Sequence, residues 1–212
     1  MLFDKEYDAY KKGLTELVVE YSNDIFESDP DNEIGLHVKA WWYRGRALEN
    51  DAIFLKKHSQ TRLTEMADVF EYEAAKLHLK EAIQLFKSAN VCFNKVISLE
   101  PGNGKVELDP AVRTMYHNGL PGKVLVIQDT AIGLEARIRK GYALVSIGDL
   151  ELDRKNEELA KKNHKDGAKA LKVCLKLYKK FGYDDNAGVV KMRELIIRTE
   201  KMYDEYDAHN SF

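Results

Sequence analysis

An all-α fold, a single array of antiparallel helical hairpins with seven or eight helices, is what this sequence predicts. Three observations carry the expectation. Apolar residues recur at steps of three and four through most of the chain, the period of one helix face. Only 4 prolines and 13 glycines occur, gathered in a few clusters, as long helices joined by few turns require. Apolar residues make up 44% and charged residues 32%, the balance of a globular helical surface and not of a disordered chain.

The first expected helix spans 5–27, where Tyr7, Tyr10, Leu14, Leu17, Val18, Tyr21 and Ile25 share a face. Asp29-Pro30-Asp31-Asn32 ends it, and Asp31 or Asn32 caps a second helix over 33–52. A break is expected within 53–64, where Ser59, Thr61 or Thr64 can cap a new helix. A long third helix over 64–99 follows, with a turn hidden at Ser88-Ala89-Asn90 or absent. Residues 101–123 read as an irregular loop holding one short helix at 110–117, because Asp109-Pro110 is a helix-start signal. The β-branched run 123–127 reads as extended loop or helix start, since a lone strand has no partner. A helix over 130–147 should stop at Gly148-Asp149, and a lysine-rich insertion, 150–166, should lead into a helix reaching 181. A capping helix over 187–206 closes the domain, with Val189, Met192, Leu195, Ile196, Thr199, Met202, Tyr203 and Tyr206 on its apolar face.

With 212 residues the chain can bury one sizeable core, read as a single domain, 1–212. The formal net charge of −2 favours neither nucleic acid nor an acidic tail. Cys92 and Cys174 each sit inside a helical pattern and read as buried free thiols of a reducing compartment. The opening Met1-Leu2-Phe3-Asp4-Lys5-Glu6 lacks the basic start and apolar run of a signal peptide, and no apolar stretch reaches bilayer length, so a cytoplasmic protein is expected.

Two segments align internally at a separation of 96 residues, Lys39-Ala40-Trp41-Trp42-Tyr43-Arg44-Gly45-Arg46-Ala47-Leu48 and Glu135-Ala136-Arg137-Ile138-Arg139-Lys140-Gly141-Tyr142-Ala143-Leu144. The interval is roughly three units of a 34-residue repeat. A glycine inside a helix costs about 1 kcal/mol against alanine. Two at one offset, Gly45 and Gly141, therefore point to close helix–helix approach. In these residues the chain resembles the tetratricopeptide repeat: Trp41, Gly45, Ala47 and Leu48 follow the order of its first helix, as do Gly141, Ala143 and Leu144. Ala89, Phe93 and Pro101 fit the ending of its second helix, and Tyr21, Ile25 and Pro30 fit it more loosely. No complete 34-residue unit is present, and the resemblance covers about a quarter of the chain.

The resemblance implies a right-handed array whose first helices line a concave groove for a peptide or protein partner. It places Lys39, Trp42, Tyr43 and Arg46 on one wall and Arg139 and Tyr142 on another. Aromatics with arginine make a hot-spot composition, although Trp42 and Tyr43 can equally be core residues. The asparagine and lysine pattern of the family's two-cation carboxylate clamp is missing. The expected function is thus an interaction or scaffold module with no catalytic residue, metal or cofactor; the alternatives are a helical ribonuclease-like enzyme or a nucleic-acid-associated helical protein using a lysine stripe over 161–180. No membrane partner is expected, nucleic acid is disfavoured, and self-association is left open.

Other constellations carry less. Glu71, His78 and Glu81 share a helix face, yet lack the Glu-x-x-His pairs of helical di-iron sites. Arg113 and His117 are spaced somewhat as in some all-helical ribonuclease domains, though with only three residues between them. Gly119-Leu120-Pro121-Gly122-Lys123 and Gly102-Asn103-Gly104-Lys105 lack the hydroxyl residue of a phosphate loop. Lys161, Lys165, Lys169, Lys172, Lys176 and Lys180 form a stripe that suits an acidic protein, RNA or an anionic surface; a solvated face is the plainer account.

Overall fold

The computed structural model describes residues 2–33, 36–64, 69–99, 113–117, 120–124, 132–180 and 187–209. Among these residues the chain forms seven α-helices and one two-stranded hairpin: α1 (Leu2–Lys11), α2 (Thr15–Ser28), α3 (His37–Thr64), α4 (Val69–Leu99), β1 (Arg113–His117), β2 (Leu120–Val124), α5 (Ile132–Asp153), α6 (Glu157–Lys180) and α7 (Ala187–His209).

The expected first helix is two helices. Gly13 takes a φ of +69°, and the Leu14 amide donates back to the Ala9 carbonyl at 3.0 Å. This is a glycine-closed helix end with Lys11 in its last turn. After α2 the chain turns through Asn32, left-handed at φ 58°. The Asn32 Oδ1 accepts the His37 amide at 3.0 Å. Asparagine thus does serve the next helix, which starts at His37 and not at 33.

The break expected in 53–64 is absent. Ser59 and Thr61 donate to the carbonyls of Leu55 and Lys57, four residues back, instead of capping a new helix. In α4 the turn at 88–90 is likewise absent: the helix runs unbroken from Val69 to Leu99, with Ala89 and Asn90 on its buried side. The short helix expected at 110–117 is replaced by β1, which pairs antiparallel with β2, Arg113 opposite Val124 and His117 opposite Leu120. Of the run 123–127 only Lys123 and Val124 are described, and both pair with β1, opposite Thr114 and Arg113. The rest of the loop 101–123, together with 125–131, lies outside the described residues.

Helix α5 does not stop at Gly148-Asp149 but continues to Asp153. The stretch expected as an insertion, 150–166, holds the end of α5, a turn with Lys155 at φ 60°, and the first turns of α6. The C-terminal helix keeps its expected face: Val189, Met192, Ile196, Thr199 and Tyr203 are buried, while Tyr206 lies outside the described side chains.

Each helix packs on its neighbour in the chain, and α1, α3 and α5 also touch in succession. Helices α3 and α5 run parallel, with α4 returning between them. Glu49 meets Arg139, Lys56 meets Asp149 and Gln60 meets Asp153, so contacts advance together along both helices. Only α4 and the 100–131 segment separate the two aligned helices, so the 96-residue interval spans neighbouring odd-numbered helices.

Helix α5 is central. Leu134, Ile138 and Val145 pack on α6 and α7, while Ala143, Ile147 and Leu150 pack with Phe86, Ile83 and Leu79 of α4. Its burial on several sides follows from small residues at its contacts. A Cβ on Gly141 would lie 2.6 Å from Leu171, and one on Gly167 would lie 2.7 Å from Val145. On α3 a Cβ at Gly45 would come within 2.8 Å of the Phe93 ring. Both aligned glycines therefore face the helix that follows, and the close approach expected from their spacing is present.

Candidate functional site

The six residues expected to line a groove do not form one cluster. Trp42, Arg46 and Arg139 gather at the α3–α5 seam, Lys39 and Tyr43 lie against α1, and Tyr142, near Arg139, packs on the α5–α6–α7 core.

At the seam the organising group is Glu49, 2% exposed. It is bonded to Arg46 and lies 3.8 Å from the Arg139 guanidinium. Arg139 donates from Nε to Glu135 Oε1 at 2.6 Å. Burial pushes the Glu49 carboxyl upward, and the two arginines oppose it. Buried charges need such partners. Arg46 also lies over the Trp42 ring, 5.8 Å from its centroid, and Trp42 packs on Phe93. Tyr142 is half-buried against the α5–α6–α7 core. Burial raises its hydroxyl pKa, with Arg139 opposing. Much of this cluster is thus already committed to intramolecular bonds.

In the second group, Tyr43 sits among the rings of Phe3, Tyr7 and Tyr10, with centroids 5.1 to 5.8 Å away. The Lys39 ammonium lies 5.6 Å from the Phe3 centroid. These contacts make Tyr43 an anchor for α1, the core alternative for this residue.

A polar hub lies outside every motif singled out in the sequence. Asp149 accepts from Lys56 at 2.8 Å and from Arg198 at 3.2 Å. The His164 Nε2 lies 3.0 Å from Asp149 Oδ1, while its Nδ1 is bonded to the Tyr203 hydroxyl. Four helices (α3, α5, α6 and α7) meet at this carboxylate. Burial raises the Asp149 pKa, but His164, Lys56 and Arg198 outweigh it and hold the acid at about 2. Burial first, then the Asp149 charge, pushes the Tyr203 phenol up to about 12. His164 is fully buried, and a Cβ at Gly148 would collide with its ring. The hub ties four helices together through one carboxylate. Its sequence signal is a matter of phase: His164 falls in step with Ala160, Leu171, Cys174 and Tyr178, where α6 is apolar.

The remaining constellations resolve as follows. Arg113 and His117 stand at opposite ends of β1, and four strand steps separate their Cα atoms by about 13 Å, against about 6 Å on a helix. The ribonuclease-like spacing, which presupposed a helix, is lost. Among the described residues no group of histidine, cysteine and acidic side chains is arranged to hold a metal. Lys165, Lys169, Lys172 and Lys176 lie on the exposed side of α6, with Lys172 bonded to Glu200 on α7. No helix among the described residues is long and apolar enough to cross a membrane.

Comparison with known proteins yields no matching family model, no matching curated protein and no matching solved structure.

Proposed function

We propose that the chain is a helical interaction module whose odd-numbered helices, α1, α3 and α5, form the side that holds a peptide or protein partner, as in the right-handed hairpin arrays it resembles. The parallel α3–α5 seam carries the reading. There Arg46 and Arg139 converge on Glu49 beside the partly exposed ring of Trp42. Aromatics and arginines in a partly desolvated cluster are the side chains that dominate association energies. The cluster's internal bonds leave it rigid, which lowers the ordering cost of binding.

Photo-crosslinking tests this without disturbing the ion network. A benzophenone side chain replacing Lys39 or Tyr142 is expected to give partner adducts in native extract. The same group replacing the exposed Lys87 of α4 or Lys172 of α6 is expected to give none. Adducts arising equally from the even-numbered helices, or none from the odd-numbered ones, would remove the proposal.

A further inference from the structure

A trough opens where α2, α3 and α4 meet, away from the α3–α5 seam. Two connected hollows of about 550 and 330 Å³ share Thr15, Glu16 and Asp51 in their walls. Val19, Leu48, Leu55 and Leu85 supply apolar lining. Phe54 stands at the trough 68% exposed, and Leu14 at its other end is 45% exposed. The charged groups in its walls are Glu16, Asp51 and Glu81, all acidic. None of the three forms an ion pair within the described residues.

This composition is specific. Exposed large apolar side chains are common singly, but a concave run of them marks a docking surface. Three unpaired carboxylates on such a run select for positive charge and repel acidic partners. An amphipathic helix presents bulky side chains at steps of three and four with its charges beside them, and lays that stripe into a groove. We infer that the α2–α3–α4 trough is a docking site for a basic amphipathic helix, with an apolar anchor against Phe54 and Leu85 and lysines or arginines meeting Glu16, Asp51 and Glu81. The trough is separate from the seam and gives the molecule a second contact surface.

The test uses the full chain and a fluorescent 16-residue peptide of leucine and lysine arranged as an amphipathic helix. Two further probes serve as controls: a scrambled peptide of the same composition, and the helical peptide with glutamate in place of lysine. Anisotropy titrations are expected to show the helical basic peptide binding at least about tenfold tighter than either control. The double variant Glu16→Lys with Glu81→Lys should weaken it about tenfold or more, as should Phe54→Ser. Both glutamates and Phe54 are exposed, and the milder Glu16→Gln with Glu81→Gln guards against loss of fold; it should weaken binding in the same direction. Lys172→Ala, on the exposed side of α6, should change nothing, which shows that binding is local to the trough. Equal binding of the scrambled peptide, or undiminished binding by the folded glutamine double variant, overturns the inference.

Discussion

Glu6 shows how one side chain ties the fold to pH. It is fully buried between α1 and α2. Its Oε1 lies 2.7 Å from the Ser22 hydroxyl, which also bonds the Val18 carbonyl. Serine has one proton to give, and the Val18 carbonyl can only accept. The single hydroxyl proton of Ser22 is therefore shared between the two acceptors, and Glu6 Oε2 is buried with no hydrogen-bond partner. Burial pushes its pKa up to about 7, with Ser22 and Arg44 opposing. A carboxyl raised in the folded state favours folding when protonated. Stability is therefore highest below pH 4.5 as far as this group is concerned, and declines as pH rises to about 7. Glu6→Gln should match the parent near pH 4.5 and be the more stable protein at pH 8, by about 2 kcal/mol. Urea melts at both pH values check it, and a pH-independent difference would show that the carboxyl is not the titrating group. Asp149 has the opposite sign: held at about 2, it contributes stability at neutral pH that fades as pH falls from about 4 to 2.

Helix pairs are set by their smallest residues. Replacing Gly141 by alanine adds helix propensity of about 1 kcal/mol. It also drives a methyl group to within 2.6 Å of Leu171, which is fully buried and has nowhere to go. The steric term should win, with a net loss of about 2 kcal/mol in urea unfolding. Gly141→Ala combined with Leu171→Ala should show favourable coupling, losing less than the two single losses added. A Gly141→Ala protein as stable as the parent would show that α5 and α6 can separate freely. This close approach is legible in the sequence, because two mid-helix glycines at one offset imply a neighbour pressed against each. Gly13 marks a helix end that periodicity conceals, since the apolar steps on either side of it stay in phase. Gly148-Asp149 misleads in the opposite sense. Glycine followed by aspartate normally ends a helix. Here the glycine makes room for His164, and Lys56, His164 and Arg198 satisfy the aspartate. Those partners lie on three other helices, beyond the reach of any local pattern.

For the molecule as a whole, the helical class and the pairing of consecutive helices follow from period and punctuation. The grouping of the expected binding residues does not. Arg46 and Arg139 are 93 residues apart, and only the parallel passage of α3 beside α5 brings both to Glu49. The trough is equally a product of assembly: Thr15, Asp51 and Glu81 come from three helices, and none is unusual in its own segment.

The two cysteines turn this assembly into something that can be timed. Cys92 lies under the Gly45 contact of α3 with α4, and Cys174 lies in the α5–α6–α7 core. Both are buried and free. Burial pushes their thiols up to about 11 and about 12. A thiol that is both covered and protonated reacts with a disulfide reagent only when its helices part. In single-cysteine variants, labelling at pH 8 should run orders of magnitude slower than in urea, and its rate reports how often each seam opens. Unequal rates would mean that the hairpins breathe one at a time, as in a stack of weakly coupled units, whereas one shared rate would mean that the chain opens all together. Labelling as fast as in urea would place the thiols at the surface. Each seam thus carries its own clock, started by the addition of reagent and stopped by acid.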